Sequence, residues 1–164
     1  MSAHKMMALK IITPNERALE DLETGDIIEI QRGPHSHWAV YIGNQQVIHL
    51  AGGEDVGIDV QFKQFADPTY LFNIAGKLFK TALVKVDAYA NVVHRCLAKK
   101  NNSKDWKYKP LSKSEIVQNA MSRLGRHYYN VQFENCEHFA TWCRYGVKKS
   151  DQQDTFLTWN NVNF

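Results

Sequence analysis

The sequence predicts an α+β domain, in which an antiparallel sheet of about four or more strands packs on helices. Three observations lead to this prediction. Short β-branched segments follow turn glycines in the first half of the chain, and Gly43-Asn44 between two of them is a hairpin signal. The clearest helical periodicity comes after them, from residue 111 onward. With 164 residues, the chain is long enough for one domain with its own core.

The strands are predicted at residues 25–31, 37–43, 46–52 and 82–89. Residues 96–108 are ambiguous, with a polar run at 99–104 that leaves room for one more short strand after it. Side chains on one face of a strand recur every second residue, so the hairpin connection decides which residues share a face. A three-residue connection pairs Gln46 with Ile42 and makes His49 a diagonal neighbour of His37 on the same face. An even-numbered connection would separate the two histidines.

Two of the predicted helices carry start signals. The first begins at Thr13, an N-cap residue followed by proline, and ends near Gly25. The second covers residues 111–125 and opens with a capping box, Ser112 with a glutamate three residues on. Its expected apolar stripe consists of Ile116, Val117, Ala120, Met121 and Leu124.

The last predicted helix begins at Asn135 or Cys136 and ends at Gly146. Cys136 therefore lies in its first turn, where unpaired N–H groups and the positive end of the helix dipole stabilise a thiolate. The thiolate is the nucleophilic form of cysteine. Cys143 lies two turns further along, without that help, and we interpret it as a core residue.

A cysteine nucleophile needs a base, usually histidine, and the base needs an orienting group. His37 and His49 are the best candidates, because both lie on the predicted hairpin. Two other interpretations remain open: Cys136 as a small buried hydrophobe, and a zinc site built from Cys136, His138 and one strand histidine. The zinc site ranks lowest, since no second Cys or His pair has finger spacing.

Composition excludes several classes of function. The net charge is +3 and the basic residues are scattered, so we expect no specific nucleic-acid binding. Three cysteines are too few for a disulfide framework and fit a reducing compartment. No window resembles a signal peptide or a membrane span. We expect a soluble cytoplasmic protein that touches intracellular membranes only peripherally.

One apolar segment, residues 67–86, has helical spacing with lysines beside it. It is either an interfacial helix or flap at a lipid entrance, or a helix packed on the sheet, and the second interpretation is slightly favoured. The candidates for membrane contact are Leu71, Phe72, Leu78 and Phe79.

Five segments of the chain form a recognisable set of motifs: LETGDIIEI, HWAVYIG, VIHLAG, NCEHFATWCRYG and KKSDQ. They closely resemble the lecithin:retinol acyltransferase family, nearest its HRAS-like suppressor branch of phospholipase/acyltransferases. The resemblance covers residues 22 to about 152 and implies the permuted papain-like fold of the NlpC/P60 superfamily. Around this domain we expect an N-terminal arm and short helix at residues 1–21 and a tail at residues 153–164.

The resemblance also implies roles for single residues. Cys136 matches the family nucleophile, His37 the general base, and His49 the second histidine that orients and polarises the first. The implied reaction transfers an acyl group from a glycerophospholipid to the thiol, and then to water or to an amine. It needs a phospholipid substrate and peripheral membrane contact, but no cofactor and no metal.

The chain departs from the family pattern at two places. His35, preceded by Pro34, stands where close relatives usually have tyrosine near the presumed oxyanion site; His35 and Asn135 are the candidates for that site. The chain also ends in TFLTWNNVNF, without the hydrophobic anchor of cellular members. Some picornavirus 2A proteins share the motif pair and lack the anchor. The alternatives are therefore a non-catalytic module that binds a protein partner and, less favoured, a peptidase or amidase.

Overall fold

The computed structural model describes residues 11–53, 57–65, 69, 72–129 and 135–147. Within these ranges the predicted α+β class is confirmed: a six-stranded antiparallel sheet is accompanied by a three-stranded sheet and four α-helices. The helices are α1 (Pro14–Glu20), α2 (Tyr89–Val93), α3 (Lys113–Ser122) and α4 (Cys136–Tyr145). Short 3₁₀ helices cover Val60–Phe65 and Ser103–Trp106. The predicted tail and residues 1–10 of the predicted arm lie outside the described ranges.

The large sheet has the strand order β8-β1-β2-β3-β7-β9, and the small sheet has the order β4-β6-β5. The strands are β1 (Ile27–Arg32), β2 (His35–Gly43), β3 (Gln46–Gly52), β4 (Ile58–Asp59), β5 (Phe72–Ile74), β6 (Lys77–Phe79), β7 (Ala82–Ala88), β8 (Ala98–Lys100) and β9 (His127–Tyr128). All four predicted strands are present. The short strand expected after the polar run is wrong, because the 3₁₀ helix Ser103–Trp106 lies there, and β8 instead occupies the start of the ambiguous segment.

The β2–β3 hairpin corrects the predicted turn but keeps the predicted register. Gln46 pairs with Gly43 rather than with Ile42, across a tight turn whose residues Asn44 and Gln45 both have positive φ. An irregularity between Tyr41 and Gly43 then shifts the pairing by one residue. Beyond it the register is the predicted one, with Tyr41 opposite Val47, so the two histidines lie on the same face.

The two faces of the large sheet are covered by different helices, because neighbouring strand residues point in opposite directions. Val40 and Ile48 of the central hairpin belong to the core cluster that also contains Phe139 of α4. Ala39 and Val47, one residue away in each strand, belong to a second cluster with Tyr89, Val92 and Val93 of α2. Helix α2 was not predicted, since five residues are too few to show a helical period.

Helix α3 begins as predicted but buries a narrower stripe. Ser112 and Glu115 form the capping box with both hydrogen bonds present, and Ile116 and Ala120 are buried. Met121 and Leu124, however, are 53% and 37% exposed. The prediction failed there because the helix ends at Ser122, so that Leu124 lies beyond it and Met121 lies in its last turn.

The predicted helix within residues 67–86 is wrong. Its described part forms the β5–β6 hairpin, and both turn residues, Ala75 and Gly76, have positive φ, which a helix does not allow. Phe72 and Leu78 are buried at 0% and 4% exposure, and Phe79 packs against the core cluster. Phe72 and Leu78 are therefore core residues, and Phe79 is half-buried against the core. Leu71 lies outside the described residues.

Candidate active site

Cys136 is the first residue of α4, as the sequence predicts. Asn135 is the N-cap, since its side-chain oxygen accepts a hydrogen bond from the backbone N–H of His138 at 2.9 Å. Gly146 ends the helix in a left-handed conformation. Cys143 is fully buried in the same cluster as Cys136, in agreement with its interpretation as a core residue.

Two ion pairs that the sequence analysis missed hold α4 in place. Lys104 Nζ lies 3.1 Å from Glu137 Oε1 and 3.3 Å from Thr141 Oγ1, and Lys104 and Glu137 are both buried. Arg144 Nη2 lies 2.9 Å from Asp105 Oδ2. A charged residue among the apolar positions of a helix needs a partner once it is buried. Glu137 and Arg144 occupy such positions in α4, and this pattern could have indicated the two ion pairs. The first pair fixes the turn that carries Cys136.

The sulfur of Cys136 is enclosed by backbone groups and only 2% of the residue is exposed. Burial raises the pKa of the thiol to about 11, although backbone N–H groups of Trp38 and Ala75 favour the thiolate. The expectation that the helix start stabilises a thiolate is therefore overturned, because the loss of hydration outweighs the donors. The thiol is neutral at physiological pH.

The sulfur reaches the backbone of β2 at a gap in the sheet. Pairing of β2 with β3 covers Val40 to Gly43, so backbone groups nearer the start of β2 are left without a strand partner on that side. The Cys136 Sγ atom lies 3.9 Å from the carbonyl oxygen of Ser36 and is approached by the N–H of Trp38. These groups flank His37 in the chain. Within the described ranges, no hydrogen bond joins Sγ to the His37 ring.

The structure brings the two predicted histidines into direct contact. His37 Nε2 lies 2.8 Å from His49 Nδ1, and the ring planes are nearly perpendicular, with an angle of 87°. Both rings are buried. The other nitrogen of His49, Nε2, lies 2.7 Å from Oδ2 of Asp87 on β7. Sequence reasoning missed Asp87. Its position on the same face of β7 as Lys85 becomes informative only once the pairing of β7 with β3 is known.

Both histidines are neutral at neutral pH. Burial, and next the charge that His49 would carry, hold the pKa of His37 well below its ordinary value; Arg32 and Lys85 add to this effect. Burial also lowers the pKa of His49, and the hydrogen bond and charge of Asp87 offset this only in part. A neutral imidazole keeps one nitrogen without a proton, which is the form that a general base requires.

An open cleft of about 340 Å³ lies at Cys136. Its wall includes both oxyanion candidates, His35 and Asn135, together with Glu29 and Trp38. The side-chain oxygen of Asn135 is already engaged as the helix cap. A second cavity of about 280 Å³ is lined by His37, His49, Arg32, Lys85 and Asp87. The thiol and the two histidines thus border different cavities.

Two further features are absent from the described ranges. No group of three or more His, Cys, Asp or Glu side chains there is arranged to hold a metal ion. Among the same residues, no helix has the length and apolar character that crossing a membrane requires.

Comparison of the sequence with known proteins identifies its family. Residues 20–149 match the family model described as lecithin retinol acyltransferase. The chain is 36% identical over 129 residues to phospholipase A and acyltransferase 3 of Mus musculus and of Homo sapiens, which covers 78% of this chain and 74% of each relative. It is 35% identical over 136 residues to phospholipase A and acyltransferase 1 of Homo sapiens, covering 82% and 74%. The chain therefore belongs to the lecithin retinol acyltransferase family.

Proposed function

We propose that this protein is a thiol-dependent phospholipase A and acyltransferase, which works through a thioester on Cys136. The names of its relatives support the reaction class. The observation that carries the assignment to these residues is the position of Cys136 Sγ against the peptide groups on either side of His37, whose ring is hydrogen-bonded to His49.

In the first step, the Cys136 sulfur forms a bond to the carbonyl carbon of a phospholipid ester, while the thiol proton passes to Nδ1 of His37. The C–O bond to glycerol breaks, and the proton returns to the departing alkoxide, which leaves as a lysophospholipid. The thiol pKa of about 11 and the lowered pKa of His37 keep the proton on sulfur until attack. Proton transfer and attack are therefore coupled. A small movement that closes the gap between thiol and imidazole precedes them.

The negative charge that develops on the carbonyl oxygen needs donors close to the sulfur. The backbone N–H groups of Trp38, Ala75 and Cys136 itself are directed at the sulfur, and they are held rigidly by the strand, the hairpin turn and the helix start. His35 borders the same cleft, and its ring N–H can donate one further hydrogen bond. We assign the main oxyanion stabilisation to the backbone donors, with His35 as an auxiliary donor.

In the second step an acceptor takes the acyl group from sulfur. Water or the amine of a second phospholipid loses a proton to His37 as it attacks the thioester, and the thiolate that leaves recovers a proton from the imidazolium. Water gives a free fatty acid, and an amine gives an N-acylated phospholipid. The intermediate divides one difficult transfer into two easier ones.

One observation favours a second candidate, a non-catalytic module that keeps the fold and binds a protein partner. Cys136 is nearly inaccessible and makes no hydrogen bond with the His37 ring within the described residues. Turnover separates the two proposals. The experiment presents phosphatidylcholine vesicles and measures release of lysophospholipid and fatty acid by mass spectrometry.

The wild-type protein is expected to release both products, and the Cys136→Ser variant neither. Cys96→Ser is the matched control, because it makes the same substitution at a cysteine outside the cleft. Equal turnover by the Cys136→Ser variant would exclude the thiol mechanism. A wild-type protein without turnover, although correctly folded, would favour the binding module.

A further inference from the structure

We propose that Asp87 is a positioning residue of this site, which fixes the protons on both histidines so that Nδ1 of His37 is left as the acceptor for the thiol proton. The inference rests on the proposed function and deepens it by adding a residue that lies in none of the sequence motifs. The hydrogen bonds that link Asp87, His49 and His37 support it.

The pairing of β3 with β7 places Asp87 beside His49. His49 lies opposite Lys85, and Asp87 is two residues further along β7, on the same face and on the diagonal. Asp87 Oδ2 lies 2.7 Å from His49 Nε2 and 3.4 Å from Lys85 Nζ. The Asp87 side chain is about one-third exposed, so solvent reaches its carboxylate while both imidazole rings stay buried.

The hydrogen bonds determine the tautomer of each ring in turn. Burial opposes the ionisation of Asp87, but its hydrogen bond to His49 and the neighbouring charges outweigh burial and hold its pKa below the ordinary value. An ionised carboxylate only accepts, so His49 Nε2 must carry a proton. Because His49 is neutral, its Nδ1 is then a bare acceptor.

The hydrogen bond between the two rings fixes the tautomer of His37 in the same way. His49 Nδ1 accepts, so His37 Nε2, 2.8 Å away, must be the donor and must hold the proton of that ring. Neutral His37 then has an unprotonated Nδ1, and no described residue forms a hydrogen bond with it. One carboxylate thus selects the reactive tautomer two rings away. Without it, either ring could take the other tautomer, and Nδ1 of His37 could carry a proton toward the thiol.

Asp87 also supplies negative charge where the other charged groups are positive. The cavity around the two rings is lined by Arg32 from β1 and Lys85 from β7, whereas α2 contributes only the uncharged Asn91 and Val92. Arg32 and Lys85 lower the pKa of both histidines. The imidazolium that forms during catalysis is therefore stabilised chiefly by Asp87.

The test compares Asp87→Asn with Asp87→Glu. Asp59→Asn is the matched control, because it removes the same charge at an exposed aspartate on the small sheet. Imidazole ¹⁵N–¹H correlation spectra give the tautomers directly, with no substrate present. The rate of acyl-enzyme formation against pH gives the catalytic consequence.

In the wild type both rings are expected to be protonated at Nε2. Asp87→Asn is expected to populate the Nδ1-protonated tautomer in at least one ring and to slow acylation by about 10²-fold, within the range for a general base and its orienting carboxylate. The acid limb of the pH profile should move to lower pH, because the protonated pair loses its carboxylate. Asp87→Glu should restore part of the rate, and Asp59→Asn should change nothing.

Unchanged tautomers in a folded Asp87→Asn protein would overturn the inference, whatever its activity. The same holds if the rate falls without a change in tautomer or in pH profile, because that result marks Asp87 as purely structural. Should the wild type form no acyl-enzyme, the proposed function fails, and the spectra alone decide the role of Asp87.

Discussion

At the scale of single residues, two opposing effects set the ionisation of the Cys136 thiol. Its place at the start of α4 and the nearby backbone N–H groups favour a thiolate, but burial of the sulfur costs more. In the proposed mechanism the general base therefore removes the proton during attack. In this respect the site resembles a serine hydrolase more than a cysteine enzyme with a preformed ion pair.

This balance predicts the ionisation behaviour of the thiol. With a pKa of about 11, Cys136 stays protonated from pH 6 to 8.5, and thiolate appears only as the pH rises beyond that window. The measurement is the 240 nm absorbance of the wild type minus that of Cys136→Ser as pH increases. A thiolate signal of full amplitude below pH 8 would contradict the prediction and indicate an ion pair with His37.

The two histidines differ in their expected contributions. His37→Ala removes the proton acceptor and should lower the rate of acylation by about two to four orders of magnitude. His49→Ala removes only the group that orients and polarises His37, so we expect a smaller loss. Rates are compared after thermal unfolding has shown that each variant is folded, because both rings are buried. Equal losses, or a larger loss for His49→Ala, would reverse the assigned roles.

At the scale of elements, the position of α4 depends on a buried charge pair. Lys104 lies in the 3₁₀ helix Ser103–Trp106 and reaches Glu137, the residue after the nucleophile candidate. Both side chains are buried, so removing either charge takes an ion-pair partner from the other in a poorly hydrated environment. The pair therefore ties the start of α4 to a segment far away in the sequence.

Lys104→Ala is expected to lower the free energy of unfolding by about 3–5 kcal/mol, the usual cost of breaking a buried ion pair by removing one partner. The matched control is Lys113→Ala, which breaks the ion pair with Glu23 at 2.9 Å, where both side chains are more than 60% exposed. That change should cost at most about 1 kcal/mol. Urea denaturation measures both. Equal losses would mean that the Lys104–Glu137 pair is effectively solvated.

The elements also indicate which features local sequence can predict. Capping residues are local signals, and those at Thr13, Ser112 and Asn135 are all present in the structure. The helix prediction for residues 67–86 failed because the apolar spacing of a short buried hairpin resembles that of a helix. The turn has positive φ at both Ala75 and Gly76, and only the glycine signals such a turn in the sequence.

At the scale of the whole molecule, the sequence predicted the fold class, the β2–β3 register beyond its irregularity and the contact between His37 and His49. It could not predict Asp87, because the pairing of β3 with β7 joins segments some forty residues apart. It offered burial of the thiol only as one of several alternatives and could not choose among them. Burial depends on how α4 meets the gap between β2 and β3, a property of the assembled sheet.

In the proposed function the whole assembly serves one event, the transfer of an acyl group to the sulfur of Cys136, and direct detection of that thioester tests the proposal most sharply. The protein is mixed with phosphatidylcholine vesicles, quenched in acid within the first turnovers and analysed by intact and peptide mass spectrometry. The account predicts a hydroxylamine-sensitive acyl group on the Cys136 peptide, absent from Cys136→Ser and much reduced in His37→Ala. Lysophospholipid release with no acyl group on Cys136, or with the acyl group on another residue, would contradict it.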